Sequence, residues 1–358
     1  MKKTLLSFVA ALLLTACSAL SPTVTPIPFP TSSPVPTPTI VPWASLGLSG
    51  QLVFTRGNIG GVEKLDLTSG VVTSLFLPPE NNWGVNEAAV SPDKQHILIS
   101  YAPPLSPADM QFGYTSLYEL PVDGSTPPQL LIKLTDPYEI YNTPTWSPDG
   151  RYFYYVHSTP IYDANHQPER TQYRLERRAY PDGAPEVILE NALWPRLSPD
   201  GSKLTYIPAF PGEDPAQLYV ANADGTNSVP LIPDGTFESV DTPLFTPDGQ
   251  TIFFNAVGAK PTPTSTPAQS ALDRFFGSQI AFAHPNAADW WAVPVAGGPP
   301  RVITEYNFAT ANMQGDFSPD GRHFVFATFT NLHIMNPDGT GLLTIFDFEA
   351  IGTVDWIF

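Results

Sequence analysis

Cysteine is nearly absent. Cys17 is the only one in 358 residues, so no disulfide can form within a monomer and any folded domain must hold by packing alone. Charge is sparse too, at 14% of the chain, and lopsided: 17 Lys and Arg stand against 34 Asp and Glu, for a net charge of −17. No basic cluster occurs, which excludes the phosphate-neutralising surface that a nucleic-acid partner needs. The six histidines, His96, His157, His166, His284, His323 and His333, show neither His-x-His nor His-Glu-x-x-His spacing, and none lies in a carboxylate cluster of the sequence. Asp-x-Asp calcium loops and a Gly-x-Ser-x-Gly nucleophile elbow are missing as well. No metal, no cofactor and no catalytic residue is therefore expected. Long apolar runs are confined to residues 5–14, directly after Met1-Lys2-Lys3, and that stretch is too short to span a bilayer as a stable helix.

What is present begins with that same stretch. A basic start followed by a short apolar run reads as a secretory signal over residues 1–16. Its end, Leu14-Thr15-Ala16-Cys17, resembles the bacterial lipoprotein box. The resemblance implies that Cys17 carries a diacylglycerol thioether and anchors the mature chain to a membrane, at the outer membrane or cell surface. Residues 17–49 are the anchor and a linker in which Pro, Thr and Ser dominate. Such a composition cannot build a core and favours extended, polyproline-like chain, a semi-rigid stalk with or without O-glycans.

The remainder, 50–358, is organised by one repeated phrase: Ser91-Pro92-Asp93-Lys94, Trp146-Ser147-Pro148-Asp149-Gly150, Ser198-Pro199-Asp200-Gly201, Thr246-Pro247-Asp248-Gly249 and Ser318-Pro319-Asp320-Gly321. Proline presets φ for a tight turn, Asp bonds the backbone ahead of it, and Gly accepts the left-handed closing position. Each copy separates an apolar stretch from an aromatic-rich strand. A second hairpin follows each pair, tipped by Asp123-Gly124, Asp182-Gly183, Asp224-Gly225, Gly297-Gly298 or Asp338-Gly339, and in the first unit by Asp66 to Gly70. Six outer hairpins against five inner turns leave one unit without its inner strand. The segment Gly352-Thr353-Val354-Asp355-Trp356-Ile357-Phe358 supplies that strand. The expected fold is all-β: a six-bladed propeller of four-stranded antiparallel blades, closed by the C-terminal strand joining the N-terminal blade.

Repeats of this form resemble the WD-repeat-like propeller of the TolB family, and also that of prolyl-oligopeptidase-type enzymes. The likeness covers 50–358, at roughly 50 residues per blade. It implies a monomeric propeller at the cell envelope. TolB proteins carry an α/β domain ahead of the propeller, where this chain has its linker.

Extra length falls in the connections from second to third strand: 102–113, 158–171, 209–216 and 257–289. The last contains a Pro/Thr insertion followed by Phe275-Phe276. Loops lengthened on one face of a scaffold are where binding residues collect. The blade-to-blade connections of that face are rich in rings and acids, and the candidate binding residues are Tyr138, Glu139, Tyr141, His157, Trp194, Phe237, Glu238, Asp241 and Phe308. A mouth of exposed rings and carboxylates suits a protein or glycan partner. The expected function is a non-enzymatic binding module. The alternative is a propeller-type polysaccharide lyase or hydrolase, with a histidine and carboxylate site assembled across blades from His157, His284 and neighbouring acids.

Overall fold

A computed structural model describes residues 41–56, 60–79, 84–102, 115–209, 216–258, 288–308, 313–347 and 352–358. Contacts divide the chain into Met1–Pro38, which lies outside the described residues, and Thr39–Phe358, one compact unit. Cys17, His284 and the insertion at 259–287 also lie outside the described residues.

The repeated turn is built as its residues dictate. In the second copy Ser147 Oγ accepts the Tyr152 amide at 2.9 Å and donates to Asp149 Oδ1 at 2.7 Å, while Asp149 Oδ1 accepts the Arg151 amide at 3.1 Å. The same three bonds recur at Ser91, Ser198, Thr246 and Ser318. Gly150 closes its turn at φ +69°, and Lys94 holds the equivalent position at φ +60° in the copy that lacks glycine. The Asp of the motif is thus a turn residue, with its carboxyl group held below the usual range by those bonds, to about 2 at Asp149 and Asp200.

Six four-stranded sheets follow in a propeller ring. The first blade runs outward from β24 (Val354–Ile357) through β1 (Gln51–Arg56) and β2 (Gly61–Asp66) to β3 (Val72–Phe76). Blade two is β4 (Val85–Val90), β5 (His96–Tyr101), β6 (Ser116–Pro121) and β7 (Gln129–Ile132). Blade three is β8 (Ile140–Trp146), β9 (Tyr152–Tyr162), β10 (Pro168–Ala179) and β11 (Glu186–Glu190). Blade four is β12 (Ala192–Leu197), β13 (Lys203–Pro208), β14 (Tyr219–Asn222) and β15 (Val229–Pro230). Blade five is β16 (Ser239–Phe245), β17 (Thr251–Val257), β18 (Ala288–Pro294) and β19 (Arg301–Val302). Blade six is β20 (Gly315–Phe317), β21 (Phe324–Ala327), β22 (Asn331–Met335) and β23 (Leu343–Asp347). The expected closure is present: β24 pairs antiparallel with β1, Leu52 opposite Trp356.

The core lies between blades rather than inside one. Trp290, Phe253, Phe324 and Phe326 pack blade five on six, and Leu52, Phe54 and Trp356 meet Val325 and Ile334 where blade six meets the first. Val41, Trp43 and Leu48 join that last cluster, and Trp43 Nε1 donates to the Leu67 carbonyl at 2.7 Å. Alternating strands expose both faces to neighbouring sheets, so both faces are apolar. Burial at roughly 25 cal/mol per Å² is the driving force that replaces disulfides here.

Candidate functional site

Strand order assigns the ring two distinct ends. The Ser-Pro-Asp-Gly turns and outer hairpins share one end; the second-to-third-strand connections and the blade-to-blade links share the other. The candidate residues lie toward this second end, but most are not presented to solvent. Tyr141, Trp194 and Phe237 are buried, Phe237 to 1% exposure, against the expectation of exposed rings. Phe237 packs edge-on against Phe254 and Trp291, and Trp194 belongs to the core between blades four and five. The reason is geometric: the first residues of the innermost strands lie where blades converge, and large rings fill that gap. Glu139, His157 and Asp241 are also buried, while Tyr138, Glu238 and Phe308 are half-buried. Phe308 leans edge-on against Phe326 and lies next to His333.

Glu139, Tyr141 and His157 are brought together. His157 sits between two carboxylates, with Nε2 3.3 Å from Glu139 Oε1 and Nδ1 3.0 Å from Glu176 Oε1. Tyr141 stacks on the imidazole, centroids 4.3 Å apart. The sequence shows no carboxylate cluster around a histidine because Glu176 comes from β10, opposite β9, and only strand pairing makes it a neighbour. Burial pushes Glu139 up, but amide donors at Thr135 and Asp136, the Thr135 hydroxyl and His157 outweigh it and hold the group below the usual range. Glu176 behaves likewise: burial raises it, and His157, Tyr155 and Arg174 bring it below. Burial, with Glu139 and Glu176 adding, pushes Tyr141 up to about 12. Both imidazole nitrogens are engaged and one ring face is covered, so this cluster ties the connection ahead of β8 to β9 and β10. His166 stands apart, stacked on Tyr162 at 4.4 Å. Among the described residues no group of three or more His, Cys, Asp or Glu is arranged to hold a metal ion.

Residues 158–171, expected as a loop, are largely paired strand. Strands β9 and β10 continue as a ribbon past both neighbours: β8 pairs with β9 as far as Ser158, and β11 with β10 only from Arg174. At its tip Tyr162 donates to Asp136 at 2.8 Å and packs edge-on against Tyr138, with His166 on its other side. This aromatic group is half-exposed and braced from two connections. Across the ring, Asp289 accepts the Tyr306 amide at 2.8 Å and the Thr304 hydroxyl at 2.7 Å, fixing a link whose Tyr306 is 53% exposed.

The inner-turn end holds charged residues that lie outside the repeated motif. Ala89, Thr145, Arg196, Leu244 and Asp316 each stand two residues before the Ser or Thr of the turn motif, and with Asp355 of β24 they line the axial channel. Reading that column down the repeats is the signal that would have found them. Carboxylates here stitch blades together: Asp316 Oδ2 accepts the Trp356 amide and Asp355 Oδ2 the Val90 amide, both at 2.8 Å, and Glu87 accepts the Thr143 amide. Innermost strands are sheet edges with unpaired N–H groups, and these bonds satisfy them. Burial raises all three; it lifts Asp316, with the Asp355 charge adding, to about 7, and Asp355 to about 6.

The sequence matches no protein-family model and no curated protein. Solved structures do match. A TolB protein of Agrobacterium tumefaciens shares 20% identity, over 85% of this chain and 90% of that one, with a TM-score of 0.56. TolB from Acinetobacter baumannii shares 15%, over 88% and 69%, with a TM-score of 0.61. The fold is a TolB-like propeller. An oligogalacturonate lyase in complex with manganese has 16% identity, over 80% of this chain and 70% of that one, and a TM-score of 0.50. At these identities the likeness is one of fold, which hosts unrelated activities.

Proposed function

We propose that this TolB-like propeller is a non-enzymatic binding module outside the cytoplasm, tethered to a membrane through lipidated Cys17, that holds an envelope protein or glycan. The anchor rests on the signal and lipoprotein-box pattern of the sequence, and the stalk on the composition of 17–49. The observation that carries the binding face is the braced aromatic tip of Tyr138, Tyr162 and His166 on a ribbon standing past its neighbours. Half-exposed rings with a polar edge suit sugar rings and peptide side chains alike. The buried rings Tyr141, Trp194 and Phe237 serve packing and are not part of this surface.

The test is affinity capture from envelope extracts with the full chain in mild detergent, beside a Tyr138→Ala, Tyr162→Ala double variant of equal circular dichroism. A protein or glycan retained by the first and lost by the second supports the reading. Equal recovery on both overturns the choice of surface. The second reading, a polysaccharide lyase or hydrolase, has His157 between Glu139 and Glu176 in its favour. Cleavage of polygalacturonate or another envelope polysaccharide, abolished by His157→Gln, would establish it.

A further inference from the structure

At the inner-turn end the ring surrounds a half-open pocket of about 230 Å³. An apolar cavity of about 150 Å³ is enough to admit benzene, so this one can hold a small organic molecule. Its wall is polarised. Blades six and one contribute Asp316 and Asp355; blade three contributes Thr145 and Trp146, and blade four Arg196; Leu244 and Phe245 of blade five are apolar. Thr145 is nine-tenths buried and lines the cavity, yet its hydroxyl has no hydrogen-bond partner among the described residues. Asp355 engages Oδ2 with the Val90 amide and has no described donor at Oδ1. Arg196 reaches across to Gln314 Oε1 at 3.3 Å, so it is one guanidinium against the three carboxylates Glu87, Asp316 and Asp355. Carboxylates crowded away from bulk water are stabilised by a cation brought to them.

We infer that this cavity binds a primary ammonium group on a short chain, the nitrogen on the Asp316 and Asp355 side, the chain over Trp146 and Leu244, and a polar far end at the Thr145 hydroxyl. An ammonium donates three hydrogen bonds and so can engage the unused acceptor of Asp355. Free amino alcohols and a lysine side chain share this chemistry. The site lies at the opposite end of the ring from Tyr138 and Tyr162, so it does not depend on the partner-binding reading, and its failure leaves that reading intact.

The experiment uses the full chain with three probes of one length: 4-aminobutan-1-ol, butane-1,4-diol and 4-hydroxybutyrate. Thermal shift and calorimetry report binding, and a blocked lysine amide separates a side chain from a free amine. The ammonium probe should raise Tm with concentration while the neutral and anionic probes do not. Asp355→Asn, which keeps an acceptor for Val90, should weaken binding roughly tenfold or more. Thr145→Val should weaken it by less. Equal response to the anion, an equal shift in Asp355→Asn, or no shift with either ammonium probe overturns the inference. If Asp355→Asn does not fold, the probe contrast on the unmodified chain and on Thr145→Val still decides.

Discussion

A single glycine shows how tightly the repeats interlock. Gly339, at the tip of the last outer hairpin, has φ +88°, and an added Cβ would lie 1.9 Å from the Ile303 carbonyl oxygen of the preceding blade. Gly235 has φ +72° with nothing within 4 Å. Gly235→Ala should therefore cost only the left-handed conformation, about 1–2 kcal/mol, while Gly339→Ala must also push two blades apart and should cost distinctly more. Urea unfolding of the two variants checks the order, and equal losses would contradict the packing. His157 supplies a second test at this scale. His157→Ala removes one of several donors from each of Glu139 and Glu176 and should destabilise by about 1–3 kcal/mol. Adding Glu176→Gln should recover part of that loss, and no recovery would mean the cost is cavity rather than charge. The turn glycines and the outer hairpin tips are legible in the sequence because the motif repeats. The contact of Gly339 with Ile303 is not, since it joins residues of different blades.

Strands carry the next level. The pairing of β24 with β1 buries Trp356, whose Nε1 donates to the Ser49 carbonyl at 3.1 Å. Trp356→Ala should lower stability by about 3–5 kcal/mol, read as a lower urea midpoint; an unchanged midpoint would mean the ring does not depend on this seam. Strand count, hairpin order and this closure all follow from the period of the repeat. The ribbon of β9 and β10 does not: residues 158–171 carry Pro160 and a polar run, Asp163 to Gln167, and so read as loop. Their pairing comes from the two strands extending each other. The burial of the rings at the start of β8, β12 and beside β16 is not legible in the sequence for a related reason. Position along a blade is visible in the repeat, but the narrowing of the ring toward its axis, which decides burial, is a property of the assembled blades.

At the scale of the whole molecule, electrostatics divide by location. The turn aspartates sit below their usual range, so their contribution is present above about pH 4 and is lost only as pH falls toward about 2. Asp316 and Asp355 are raised to about 7 and about 6, so the folded state binds protons more tightly than the unfolded. Their contribution is fully present below the ordinary aspartate range and is lost as pH rises through about 6 to 7. Tm at pH 5.5 should exceed that at pH 8 by several degrees, and the difference should shrink in Asp316→Asn. A higher Tm at pH 8 in the unmodified chain would contradict the sign.

The central claim is that the propeller holds a partner at the end away from its repeated turns. The most direct measurement places a photo-crosslinking amino acid in cells at Tyr306, on the connection face, and separately at Gly297, on an outer hairpin at the turn face. The account predicts a discrete protein or glycan adduct from position 306 and none from 297. An adduct only from 297, or the same adducts from both, would contradict it.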